Sequence, residues 1–189
     1  MQLFYLHGFN SSPQSDKARL VADFVAHHCP KTRLHCPALH FAPATVMAEL
    51  RQAMAACEGP LALIGSSLGG FYATSLAEQF DCQAVLINPA VKPFELLDDY
   101  LGPQQNPYTG EQFEVRPQHM QQLRELYRPV LTHPERYWLL QKKGDEILDW
   151  RQAREHYQGA RQTIDNGGDH AFTDLSRYLP EIAAFLKLY

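Results

Sequence analysis

Along this chain, short unbroken apolar runs alternate with longer segments whose apolar positions recur every three or four residues. The runs fall at residues 3–6, 61–64, 84–87 and 137–140, with weaker ones at 33–36 and 162–164. Continuous rather than alternating apolar runs suit strands covered on both faces, as parallel strands are. Between them, Val46, Leu50, Met54 and Cys57 recur at helical spacing, as do Ile182, Phe185, Leu186 and Tyr189. Ser12 followed by Pro13 predicts an N-cap and first helical residue, opening a helix that runs to about Ala26. The order β-α-β-α-β-α-β-(insertion)-β-α-β-α predicts an α/β fold, a doubly wound, mostly parallel sheet of about six strands.

Residues 92–130 break the rhythm. Pro93, Pro103, Pro107, Pro117 and Pro129 punctuate them, no strand pattern is visible, and only the stretch from Met120 to Tyr127 reads as a helix. The expectation is one domain over residues 1–189, with 92–130 inserted as a helical and loop lid. The length suits one domain with a real core. The formal charge is −4, and no basic cluster builds the field that nucleic acid or an anionic membrane surface requires. Met1 to Gly8 carry no basic leader pattern and no stretch is long and apolar enough to span a bilayer. Four cysteines without a Cys-x-x-Cys spacing read as free thiols, so a cytoplasmic location is expected.

The strongest chemical signal is Gly65-Ser66-Ser67-Leu68-Gly69, a G-x-S-x-G directly after one apolar run and directly before a helical segment. A strand, a tight turn and a helix are what a nucleophile elbow needs, and glycines on either side of Ser67 allow the close approach. A phosphate-binding turn fits less well, because no lysine follows as in a P-loop and G-x-G-x-x-G is absent. A serine hydroxyl needs a base. Among nine histidines, His170 follows the last strand run, on the carboxyl edge where a parallel sheet also places Ser67. The orienting acid is expected on another carboxyl-edge loop. Asp145 follows the run at 137–140, with Glu146 as nearest competitor and Asp149 already in the next helix. The order Ser67, Asp145, His170 is the Ser…Asp…His order of α/β-hydrolases. The N–H groups of Leu68 and Phe9 are the expected oxyanion donors, with His7 packing or bonding within its loop.

The segments His7-Gly8-Phe9-Asn10-Ser11-Ser12-Pro13, Gly65-Ser66-Ser67-Leu68-Gly69-Gly70, Gly144-Asp145 and Gly168-Asp169-His170 together resemble the small YqiA-type esterases of bacteria, within the α/β-hydrolase superfamily. The resemblance runs nearly end to end. It implies a cytoplasmic carboxylesterase acting on small acyl esters or thioesters. Two-step acyl transfer through these residues needs no metal and no organic cofactor. An acyl-CoA thioesterase or acyltransferase uses the same three residues, and a non-catalytic binding module is the reading from another class. His27-His28-Cys29 and His35-Cys36 with His40 match no metal-ligand spacing and read as a helix end and a strand. Aromatic residues of the insertion, Phe94 and Tyr100 foremost, are expected to pack the lid onto the core by default, and to line a substrate pocket as the functional reading.

Overall fold

The computed structural model describes residues 1–189. Strands form at β1 (Gln2–Leu6), β2 (Arg33–His35), β3 (Leu61–Ser66), β4 (Gln83–Ile87), β5 (Gly102–Gln105), β6 (Gln112–Val115), β7 (Tyr137–Lys142) and β8 (Arg161–Asp165). Helices are α1 (Asp16–His28), α2 (Pro43–Ala55), α3 (Leu68–Phe80), α4 (Pro93–Leu96), α5 (Pro117–Leu126), α6 (Trp150–His156) and α7 (Leu179–Phe185). Six strands make one sheet in the order β2-β1-β3-β4-β7-β8, every neighbouring pair parallel. The fold class expected from the apolar runs is the one observed.

The two-residue period of a strand sends alternate side chains to opposite faces, and each face has its own core. Phe4, Leu63, Leu86 and Leu139 pack with α2 and α3 on one side. Leu3, Tyr5, Ile64, Val85 and Trp138 pack with α1 and α7 on the other. The chain steps from β1 outward to β2, then returns to β3 on the opposite side of β1. That reversal opens a crevice at the carboxyl ends of β1 and β3, where ligands of open α/β sheets bind.

Three expectations are corrected. Helix α1 begins at Asp16 with Ser15 as its N-cap, whose Oγ accepts from Ala18 N–H. Ser12 instead forms a turn: its Oγ accepts from Gln14 N–H and its carbonyl from Ser15 N–H. A serine-proline pair supports a turn as readily as a cap. Within 92–130 the pair β5–β6 is an antiparallel hairpin, where no strand was expected. Its turn is set by Asn106 Oδ1, which accepts from the N–H groups of Tyr108 and Thr109, and its short polar strands hide the pattern. Finally, α7 stops before Tyr189, because Lys187 takes a left-handed φ of 56° and turns the chain. No helix is long and apolar enough to cross a membrane.

Candidate active site

Ser67 stands between the last residue of β3 and the first of α3, with φ 55° and ψ −123°. A non-glycine residue there is strained and needs its surroundings to hold it. Ser67 N–H donates to Ile87 O at 3.1 Å, while its carbonyl accepts from Gly70 N–H and Ala90 N–H at 2.9 and 3.0 Å. The turn is so tight that a β-carbon on Gly69 would lie 2.0 Å from Leu6 O. Leu68 opens α3, so its N–H has no acceptor within the helix.

His170 lies in the loop after β8 and Asp145 in the loop after β7. Asp145 Oδ2 is 2.8 Å from His170 Nδ1, and His170 Nε2 is 3.1 Å from Ser67 Oγ. An ionised carboxylate only accepts, so Nδ1 carries the proton and the bare Nε2 faces the serine hydroxyl. The Asp145 side chain is fully covered. Burial pushes its pKa up, but the His170 hydrogen bond and the N–H groups of Leu148 and Ile147 outweigh it and hold the carboxyl below its ordinary range. Glu146, the competitor, does something else: its carboxylate accepts the backbone N–H of His170 at 2.9 Å.

The loop after β1 completes the crevice. A β-carbon on Gly8 would lie 3.1 Å from Ser67 Cβ, so the backbone passes directly over the serine. Phe9 follows immediately, and its N–H has no partner among the backbone hydrogen bonds. His7 is buried; its Nε2 accepts from Leu39 N–H, which leaves the proton on Nδ1 to donate to Gly8 O. Burial lowers its pKa and keeps it neutral. His7 therefore fixes the loop that carries Phe9.

Two clefts meet at Ser67. One, of about 240 Å³, is walled by Pro93, Leu96, Leu97 and Tyr100 from the insertion together with Ala90 and Leu148. The other, of about 390 Å³, has mostly polar residues around it, among them Tyr5, Ser11, Ser15, Lys17 and Tyr108. Tyr100 thus lies at the site. Phe94 does not: its ring packs edge-on to Tyr127, beneath the guanidinium of Arg124, against the core. It sits in the four-residue helix α4, whose neighbours Pro93, Leu96 and Leu97 face the cleft instead. The histidine-cysteine segments hold structural bonds, His27 to Asp23 O and His35 to Gln2 Oε1.

Asn88 escaped the sequence reading. It is fully buried at the end of β4 with a left-handed φ of 41°. Its Nδ2 donates to the carbonyls of Asp169 and His170, and its Oδ1 accepts Lys142 N–H. One amide thereby ties β7 to the histidine loop. Lys142 supports the same loop from below, bonding Asp165 and Asp174 at 2.7 Å each under the Phe172 ring. A polar residue ending an apolar strand was the only sequence signal for Asn88.

Sheet order, elbow and loop placement together define the α/β-hydrolase fold. Solved structures agree: the mouse alpha/beta hydrolase domain-containing protein 10 superposes with a TM-score of 0.76 at 16% identity, covering 98% of this chain and 89% of that one. Est1E from Butyrivibrio proteoclasticus, with ferulic acid bound, gives 0.74 at 9% identity over 100% and 90%. The esterase domain of a Rhodothermus marinus protein gives 0.67 at 19% identity over 97% and 85%. The model of the uncharacterised protein family UPF0227 matches residues 2–187, and the chain belongs to that family. It is the YqiA-type family whose motifs the chain carries.

Proposed function

We propose that this protein is a serine hydrolase that cleaves small acyl esters or thioesters, with Ser67 as nucleophile, His170 as general base and Asp145 as the acid that orients it. The observation that carries this reading is the hydrogen-bonded line from Asp145 through His170 to Ser67, ending on a serine held in a strained turn. Ser67 Oγ forms a bond to the substrate carbonyl carbon as its proton passes to His170 Nε2. The oxygen that gains charge is received by the N–H groups of Phe9 and Leu68. Collapse breaks the bond to the leaving oxygen or sulfur, which takes the proton from Nε2. Water then gives its proton to His170, adds to the acyl carbon, and collapse returns the proton to Ser67 Oγ with release of the acid. Asp145 stays ionised throughout, since its carboxyl sits below its ordinary range. The known esterases among the structural neighbours support the same chemistry on this fold.

Residues 92–130 form a lid in this reading, because Pro93, Leu96, Leu97 and Tyr100 wall the apolar cleft at Ser67. The reading is tested with a fluorophosphonate probe and peptide mapping by mass spectrometry. A single adduct on Ser67, absent after denaturation before labelling, is expected. No adduct on the folded protein, or an adduct confined to another residue, would contradict it.

A further inference from the structure

The two clefts at Ser67 differ in chemistry. The one formed with the insertion is lined mostly by aliphatic and aromatic side chains and carries no aspartate, glutamate, lysine or arginine. The other contains Lys17, whose Nζ donates to Ala171 O at 2.7 Å. An ammonium has three donors, and no carboxylate lies within 4 Å of this one to form an ion pair. The acidic residues bordering the same cleft are already engaged. Asp16 extends into solvent and pairs with Arg19, and the Glu146 carboxylate accepts the His170 N–H. Tyr5 contributes to the cleft's inner wall, with its hydroxyl sealed beneath the surface.

A half-buried cation without an ion-pair partner, on the wall of the cavity that holds the nucleophile, is an unfilled recognition site. An oxyanion in this cleft accepts from the ammonium. The apolar cleft would desolvate such a group without compensation and suits a hydrocarbon chain instead. At a tetrahedral carbon bonded to Ser67 Oγ, the acyl chain and the leaving group depart in different directions. If the chain takes the apolar cleft, the leaving group takes the polar one. We propose that the substrate is an ester or thioester with an apolar acyl chain along Leu96, Leu97 and Tyr100, and a leaving group bearing a carboxylate or phosphate that meets Lys17. This rests on Ser67 being the nucleophile.

The test compares butyric esters of four alcohols with the whole chain: glycolate, 2-hydroxyethyl phosphate, the uncharged glycolamide and ethanol. The expected kcat/KM for the better of the two anionic esters exceeds that for the glycolamide ester by about tenfold or more, the size of one charge-assisted hydrogen bond. Whichever of carboxylate and phosphate leads identifies the anion. In Lys17→Met the ratio of anionic to glycolamide ester falls about tenfold, and Lys17→Arg restores most of it. Added salt lowers the ratio for the wild type, which needs no variant to fold. Equal kcat/KM for the anionic and glycolamide esters overturns the proposal while leaving the nucleophile assignment intact, because all four esters are then still cleaved. A preference for ethyl hemisuccinate over ethyl butyrate, with none among the leaving groups, puts the anion on the acyl side and also overturns it. Loss of hydrolysis of every ester in Ser67→Ala separates both outcomes from a failure of the nucleophile assignment itself.

Discussion

A β-carbon on Gly144 would lie 2.3 Å from the carbonyl oxygen of Gly168. These glycines stand immediately before Asp145 and two residues before His170, so their contact sets how close the two loops come. Gly144 N–H also donates to Gly167 O at 2.9 Å. The obstructing atoms are backbone and cannot rotate aside. Gly144→Ala is therefore expected to push the loops apart, lowering kcat on a short acyl ester by about 10²-fold, as misplacement on the ångström scale does. KM should change little. Steady-state kinetics on the folded variant checks it, and an unchanged kcat would show that the loops do not need this contact.

Asp145→Asn tests the tautomer. An amide can present an N–H to His170 Nδ1, which moves the imidazole proton to Nε2 and removes the lone pair that faces Ser67. A fall in kcat of about 10³- to 10⁴-fold is expected with the fold retained. Glu146→Gln, by contrast, keeps an acceptor for the His170 N–H and should cost far less. If the two variants fall equally, Asp145 is not the orienting acid.

The lid reading predicts a change of selectivity rather than of chemistry. Leu97→Ala and Tyr100→Ala shorten the wall of the apolar cleft. Each methylene of a fitting acyl chain contributes ~0.8 kcal/mol of burial, about fourfold in kcat/KM. The rise of kcat/KM with chain length should flatten in both variants, while Phe94→Ala, which removes a ring packed on Tyr127, should reduce stability instead. Identical length profiles in all three would reduce the insertion to scaffolding.

Acid should weaken the fold through Asp165. The Lys142 ammonium, then the Tyr178 hydroxyl, hold its carboxyl below the ordinary range. A depressed folded-state pKa contributes stability that is complete above the unfolded value of about 3.9 and is lost as pH falls through the folded one. Urea midpoints should therefore drop as pH falls below about 4, and less steeply in Asp165→Asn. Parallel profiles for the two proteins would place the acid sensitivity elsewhere.

The sheet was legible because its four central strands left apolar runs, covered on both faces by helices, while the edge strands β2 and β8 left only weak ones. The convergence of Ser67, Asp145 and His170 was legible because a parallel sheet sends every strand end to one edge, and short loops there carried few candidates. The β5–β6 hairpin was hidden since its strands are short, polar and proline-bearing, held by an Asn106 turn and not by an apolar face. Phe94 was misplaced because a one-turn helix gives no periodicity to separate core from cleft. Asn88, Lys17 and Lys142 act across the fold, Asn88 on a loop 81 positions away and Lys17 on Ala171 at a separation of 154. Local pattern holds no trace of such pairings.

In the proposed reaction the Ser67 hydroxyl performs the chemistry, and Ser67→Ala removes that one atom from an otherwise unchanged turn. The most direct measurement is hydrolysis of a short acyl ester by this variant, with near-ultraviolet circular dichroism verifying the native fold. A loss in kcat of roughly 10⁴-fold or more is expected. Turnover within about tenfold of wild type by the folded variant would contradict it.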